Sequence, residues 1–202
     1  MKLLHIDSSI LGENSVSRRL SAAIVARLTE EHPAAVITRR DLAADPIPHL
    51  TGAELAAASA PNDVAGPTRA ALAVGAAALE EFLAADVVVI GAPMYNFGVP
   101  STLKAWIDRL AVAGKTFVYT EQGAKGLAGG KRVIIASARG GLYAPGTPLA
   151  ANDFEEPYLQ TVFGFFGVTA IEIVRAEGVN LGSEPRLKAI DDGLAKAAAL
   201  AA

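Results

Sequence analysis

The chain has no cysteine, and that one absence removes disulfides, thiolate metal sites and cysteine nucleophiles together. Nor does it carry a surplus of either charge. Its 18 basic residues stand against 21 acidic ones, a net charge of −3, which argues against a nucleic-acid surface as its main business. Every apolar stretch is broken by Asp, Glu, Arg or Gly well before the ~20 residues a membrane span needs. The opening MKLLHIDSS is too short for the apolar region of a signal peptide. These absences describe a soluble cytoplasmic protein with no nucleic-acid or membrane partner. The three histidines, His5, His32 and His49, are scattered, and no metal-ligand spacing appears. There is no G-x-G-x-x-G, and Gly130-Lys131 precedes a strand rather than a helix, so it is not a Walker A motif.

What is present is core-forming material. The 202 residues are 51% hydrophobic, enough for one full core and too few for two comfortable domains, so residues 1–202 read as a single domain. Five apolar runs with little alternation, residues 2–7, 35–40, 86–91, 132–137 and 169–175, read as strands covered on both faces. Helical patterns at 17–31, 70–85, 101–113, 157–167 and 184–200 separate and close them. Such alternation predicts an α/β fold, a doubly wound five-stranded parallel sheet with helices on both faces. Residues 45–49 and 60–67 read as connecting loops.

Ligands of such sheets bind outside the carboxyl ends of the strands, at the switch point in strand order. Three loops are thereby nominated: 8–17, 92–99 and 138–143. The first, SSILGENSVSRRL, offers four serine hydroxyls, and Ser15 or Ser17 can cap the next helix. Arg18 and Arg19 follow in its first turn, where the helix dipole disfavours cations unless an anion such as a phosphate joins them. A plain serine cap with solvated arginines explains the same residues. The second loop places Met94, Tyr95, Asn96 and Phe97 at a strand end, where they can wall a flat heteroaromatic or simply join the core. In the third, Gly140 and Gly141 allow close backbone approach to a flat ligand, and Tyr143 can cover it. Together the loops suit a mononucleotide with a planar ring, of which FMN is the obvious member.

Four stretches then carry a family resemblance along the whole chain: SSILGENSVSRRL, APMYNFGVPSTLKAWID, ARGGLY, and PYLQTVFGFFGV with EIVRAEG. In these the sequence resembles the FMN-dependent NADH azoreductases, flavodoxin-like reductases of quinones and azo dyes. The resemblance implies that Ser9, Ser15, Val16 and Ser17 hold the FMN phosphate and ribityl end. It implies that Met94, Tyr95, Asn96 and Phe97 line the isoalloxazine, and that Ala138, Arg139, Gly140 and Gly141 contact its pyrimidine side. Family members tend to have a hydroxyl residue where this chain has Ala138. Phe117 and Tyr119, in the excursion 114–126, are expected to shape the substrate slot with Tyr143.

A homodimer is also implied. The cluster of Tyr158, Phe163, Phe165 and Phe166 supports one, as more aromatic surface than one helix face easily buries. The activity implied is ping-pong hydride transfer from NADH (or NADPH) through FMN to quinones and azo compounds, with no catalytic side chain and no metal. Other classes remain open on the residues alone. A flavodoxin-type electron carrier would use the same loops, though it would gain from a more acidic docking face. A phosphorylation receiver would need a carboxylate where Ala92 and Pro93 stand. A ligand-sensing or structural dimer would need neither.

Overall fold

Alternation within the strands sorts side chains between two cores. Leu4, Ile6, Val88, Ile90, Val133 and Ile135 face one way, and Leu3, Val87, Val89 and Ile134 the other. A computed structural model describes residues 1–57 and 66–201. The chain runs β1 (Lys2–Asp7), α1 (Val16–Glu31), β2 (Val36–Asp41), α2 (Gly52–Ala57), α3 (Gly66–Ala84), β3 (Val87–Pro93), α4 (Ser101–Leu110), β4 (Phe117–Thr120), β5 (Gly123–Gly126), β6 (Arg132–Arg139), α5 (Glu156–Phe165), β7 (Ala170–Glu177) and α6 (Ser183–Ala198). Five strands form one parallel sheet in the order β2-β1-β3-β6-β7. Helices α1 and α6 bury Leu20, Ile24, Leu28, Ala189 and Ile190 on one face. The opposite face carries Phe82 of α3, Trp106 of α4 and Phe163 of α5. The predicted fold class holds. Strand order reverses between β1 and β3, which opens a crevice at their carboxyl ends.

Several boundaries differ from the sequence reading, each for a local reason. β3 and β6 run two residues further than expected because Pro93 and Ala138 still pair across the ladder. Residues 92–93 and 138–139 are therefore strand, not loop. α4 stops at Leu110 because the Thr116 hydroxyl takes the Leu110 carbonyl at 2.6 Å. Of the expected loop 60–67, residues 60–65 lie outside the described residues, and Gly66 and Pro67 instead open α3, where a proline's missing N–H costs nothing. β2 is not covered on both faces. It is an edge strand, and Val36 and Ile37 stand exposed. The excursion 114–126 contributes the antiparallel hairpin β4–β5, and α2 is a short helix the apolar pattern did not announce. Among the described residues no helix is long and apolar enough to cross a membrane.

α5 also corrects the packing argument for a dimer. Phe163 and Phe166 are fully buried and, with Phe82, form a ring cluster at centroid distances of 6.0 to 6.2 Å. One chain buries most of that aromatic surface itself.

Candidate functional site

The first loop is built on Asp7, the last residue of β1. Its carboxylate is fully buried on the α1 side of the sheet, where it accepts from the Ser21 hydroxyl at 2.8 Å and from Arg39 at 2.9 Å, with His5 at 3.5 Å. Burial alone would push this carboxyl up, but His5, Ser21 and Arg39 outweigh burial and hold it at about 2. Gly91 makes the arrangement fit, since a Cβ there would lie 2.9 Å from the Asp7 carboxylate. A carboxyl lowered from 3.8 to about 2 on folding contributes stability that is present above its unfolded value and lost as pH falls through its folded one. That contribution is about 2 kcal/mol. Asp7→Asn is expected to lose it at neutral pH, and urea unfolding of the variant should show a flatter dependence between about pH 5 and pH 2 than the wild type.

Beyond Asp7 the chain turns through buried serines. Ser8 donates to the Gly91 carbonyl at 2.7 Å, which ties the loop to β3. The hydroxyls of Ser9 and Tyr95 lie 3.2 Å apart, and Tyr95 also accepts from the Ile10 N–H at 3.2 Å, so one phenol joins the first and second loops. Ser15 caps α1 by accepting the Arg18 N–H at 3.2 Å, and its hydroxyl sits 3.1 Å from that of Ser17. That cap leaves the Val16 and Ser17 N–H groups at the helix start without an intrahelical acceptor. Arg18 does not aim at this point. Its guanidinium grips Asp41 with two N–H groups, at 2.6 Å each, and the Ser9 carbonyl at 2.8 and 3.1 Å. The carboxylate at the end of β2 meets its charge, so Arg18 shapes the loop from behind instead of contributing a free cation.

Asn96 and Phe97 both adopt the left-handed backbone region, with φ of 49° and 71°. For a phenylalanine this is a strained conformation of the kind that gathers at functional sites. It leaves Phe97 47% exposed, edge-on to Tyr143 at 6.2 Å. Phe97 is therefore not core. Phe97→Ala is expected to change the unfolding free energy of the ligand-free protein by less than about 1 kcal/mol while clearly weakening flavin binding. Thermal melts with and without FMN check both halves.

In the third loop alternation decides the outcome. Ala138 faces the α1 side and the crevice, whereas Ser137 and Arg139 face α5. The Arg139 side chain is 0% exposed and lies among four carboxylates: Asp153 at 2.9 Å, Glu155 at 3.6 Å, Glu156 at 2.5 Å and Glu177 at 3.3 Å. Any contact it makes in the crevice comes from its main chain. Burial pushes the Glu155 carboxyl well above the ordinary range despite Arg139, and the neighbouring Glu156 and Asp153 push the same way. The glycines also serve a purpose other than the expected one. A Cβ on Gly140 would meet the Asn180 amide at 2.7 Å, and one on Gly141 the Tyr143 ring at 3.1 Å. Their open faces are filled by the chain's own side chains.

Two adjoining cavities result, and Tyr95 lines both. The smaller, about 90 Å³, brings together Ser9, Ser15, Val16, Ser17, Met94, Ala138 and Gly140. It also takes in Asn180 and Arg186, which the sequence reading missed. The larger, about 890 Å³, opens beside Tyr95 and Asn96 and is walled by Val99, Lys104, Phe154, Pro157 and Tyr158. Burial, then the nearby Asp108, pushes the Tyr158 phenol up to about 12, so it keeps its proton. Phe117 and Tyr119 line neither cavity. Phe117 is buried against Phe165 at 4.7 Å, and Tyr119 is 73% exposed. The arrangement suits a flat ligand with a phosphate tail. Buried hydroxyls and free helix N–H groups stand at one end of the crevice and Tyr95 with Asn96 at the other, while Phe97 and Tyr143 pack on each other outside both linings.

Comparison with known proteins agrees with that geometry. The family described as flavodoxin-like fold matches residues 1–201. The FMN-dependent NADH:quinone oxidoreductase of Sinorhizobium medicae is 61% identical over 193 residues, covering 94% of this chain and 92% of that one. The protein of the same name from Methylorubrum populi is 59% identical over 203 residues and 100% of both chains. Among solved structures, an azoreductase from Bacillus anthracis str. Sterne superposes with a TM-score of 0.89 at 35% identity, over 98% of this chain and 97% of its own. An FMN-dependent NADH-azoreductase from Bacillus anthracis str. Ames Ancestor, in complex with FMN, gives 0.88 at 26% identity over 100% and 99%.

Proposed function

This chain belongs to the flavodoxin-like fold family, among its FMN-dependent NADH:quinone oxidoreductases, and on that premise we propose that it binds FMN and uses NADH to reduce quinones and aromatic azo compounds. The observation that carries the reading is the convergence of the buried Ser9, Ser15 and Ser17 hydroxyls with Tyr95 in one crevice, beside an open cavity of about 890 Å³. FMN, when bound, supplies the redox chemistry, taking two electrons from NADH and giving them to the acceptor. The protein's part is binding and placement. Ser9, Ser15, Ser17 and the Val16 and Ser17 N–H groups hold the phosphate end. Met94, Tyr95, Asn96 and Phe97 wall the ring. Ala138, Gly140 and Gly141, with the main chain of Arg139, border its far edge. Val99, Phe154 and Tyr158 offer an apolar slot, and the neutral Tyr158 phenol adds no charge there that a quinone would have to meet. A single slot entered first by NADH and then by the acceptor gives ping-pong kinetics.

A second copy of the chain is part of the proposal. Phe97 and Phe154 near the start of α5, and Phe165 with Tyr119 at its far end, stay exposed. A dimer that covers them would bring Phe117 and Tyr119 toward a slot they do not reach within one chain. Sedimentation at micromolar concentration is expected to give a dimer, and a strict monomer would remove this part.

The test of the function is steady-state turnover of the purified, FMN-loaded protein with NADH and benzoquinone and no other protein present. Sustained turnover is expected. Bound FMN without turnover would favour an electron carrier that needs a protein partner, and no uptake of FMN would end the reading.

A further inference from the structure

Arg186 is the one charged residue among those lining the small cavity. It sits in the first turn of α6, where the helix dipole disfavours a cation, and it faces the start of α1, which disfavours one too. Its hydrogen bonds go to two main-chain carbonyls, Val179 at 3.3 Å and Asn14 at 3.2 Å. Among the described residues no carboxylate pairs with it, in contrast to Arg18, Arg139 and Arg175, each of which meets at least one. A half-buried guanidinium with N–H groups to spare, set between two helix starts and beside the Ser15 and Ser17 hydroxyls, is short of an anion.

We infer that Arg186 supplies the counter-charge for the ligand's phosphate and makes the site select a phosphorylated flavin over its unphosphorylated form. The inference rests on the FMN reading and adds a residue and a selectivity to it. Serine hydroxyls and N–H groups bind a phosphate dianion without neutralising it; of the two cations that open α1, Arg18 is already neutralised by Asp41 and Arg19 is exposed and lines no part of the cavity. Arg186 also links the first loop to α6 across 172 residues, so the charge is held at the cavity wall from both sides.

The experiment measures the affinities of FMN and of riboflavin for the cofactor-stripped full-length protein, by quenching of flavin fluorescence, in wild type, Arg186→Gln and Arg186→Lys. Wild type is expected to prefer FMN. Arg186→Gln should weaken FMN roughly tenfold, leave riboflavin nearly unchanged and lower the dependence of FMN affinity on salt. Arg186→Lys should keep most of the preference. An equal loss for both flavins would make Arg186 a structural link only, and no change for either would remove it from the site. Both outcomes overturn the inference while the FMN reading stands. Wild type that takes up neither flavin would overturn both.

Discussion

Arg139→Met is expected to cost the fold about 3–5 kcal/mol at neutral pH, because it leaves buried carboxylates without their cation. Asp153, Glu155, Glu156 and Glu177 all approach this one guanidinium, and the nearby Arg175 pairs with Glu156 alone. The pH dependence gives the cause away. Glu155 already has its carboxyl raised by burial, so its proton helps the fold below the ordinary glutamate value, and that help fades as pH rises through the higher folded value. Without Arg139 nothing opposes the burial of Glu155, and the variant should recover stability as pH falls from neutral. Glu155→Gln, which keeps shape and removes the titrating group, is expected to be neutral or stabilising at high pH. Urea unfolding of both variants as a function of pH checks the pair. An Arg139→Met variant as stable as wild type at neutral pH would mean the cluster is not held by charge.

Removing the Ser15 and Ser17 hydroxyls together should weaken FMN binding by about 1–3 kcal/mol, roughly 5- to 150-fold, since both would be donors to a charged group. The structure refines this expectation. Ser15 also caps α1, so the double alanine variant should lose about 1 kcal/mol of stability without any ligand. Affinity therefore has to be compared at a temperature where both proteins are fully folded. Ser17→Ala alone separates the effects, because it leaves the capping oxygen of Ser15 in place, removing only its 3.1 Å neighbour, and Ser17 lines the small cavity. Unchanged FMN affinity in the double variant would remove the phosphate assignment.

Much of this site was legible in the sequence because its loops follow five apolar strands, and parallel sheets put ligands at strand ends. That rule alone nominates the serine loop and the 94–97 segment. What escaped was mainly a matter of parity and length. Arg139 looks like a loop residue beside a ligand until β6 is seen to run two residues further, which turns its side chain toward α5. At Gly140 and Gly141 the space a Cβ would take is filled by Asn180 and Tyr143, which a glycine pair in the sequence does not reveal. Asn180 lies in the loop after the last strand and Arg186 in the helix that follows it, neither nominated by the sequence reading. The signal was nevertheless there: an arginine in the first turn of the last helix poses the same question as Arg18 in the first turn of the first. Packing of α5 was misjudged because spacing along one helix does not reveal that Phe163 and Phe166 meet Phe82.

The proposed ping-pong reaction requires that one site on this chain serve NADH and the acceptor in turn. It is tested most directly by mixing the FMN-loaded protein anaerobically with one equivalent of NADH, and then with one equivalent of benzoquinone, while the visible flavin absorbance is followed. Bleaching by NADH alone and full return of colour on adding quinone are expected. Bleaching that requires quinone to be present, or none with either order of addition, would contradict the ping-pong reaction.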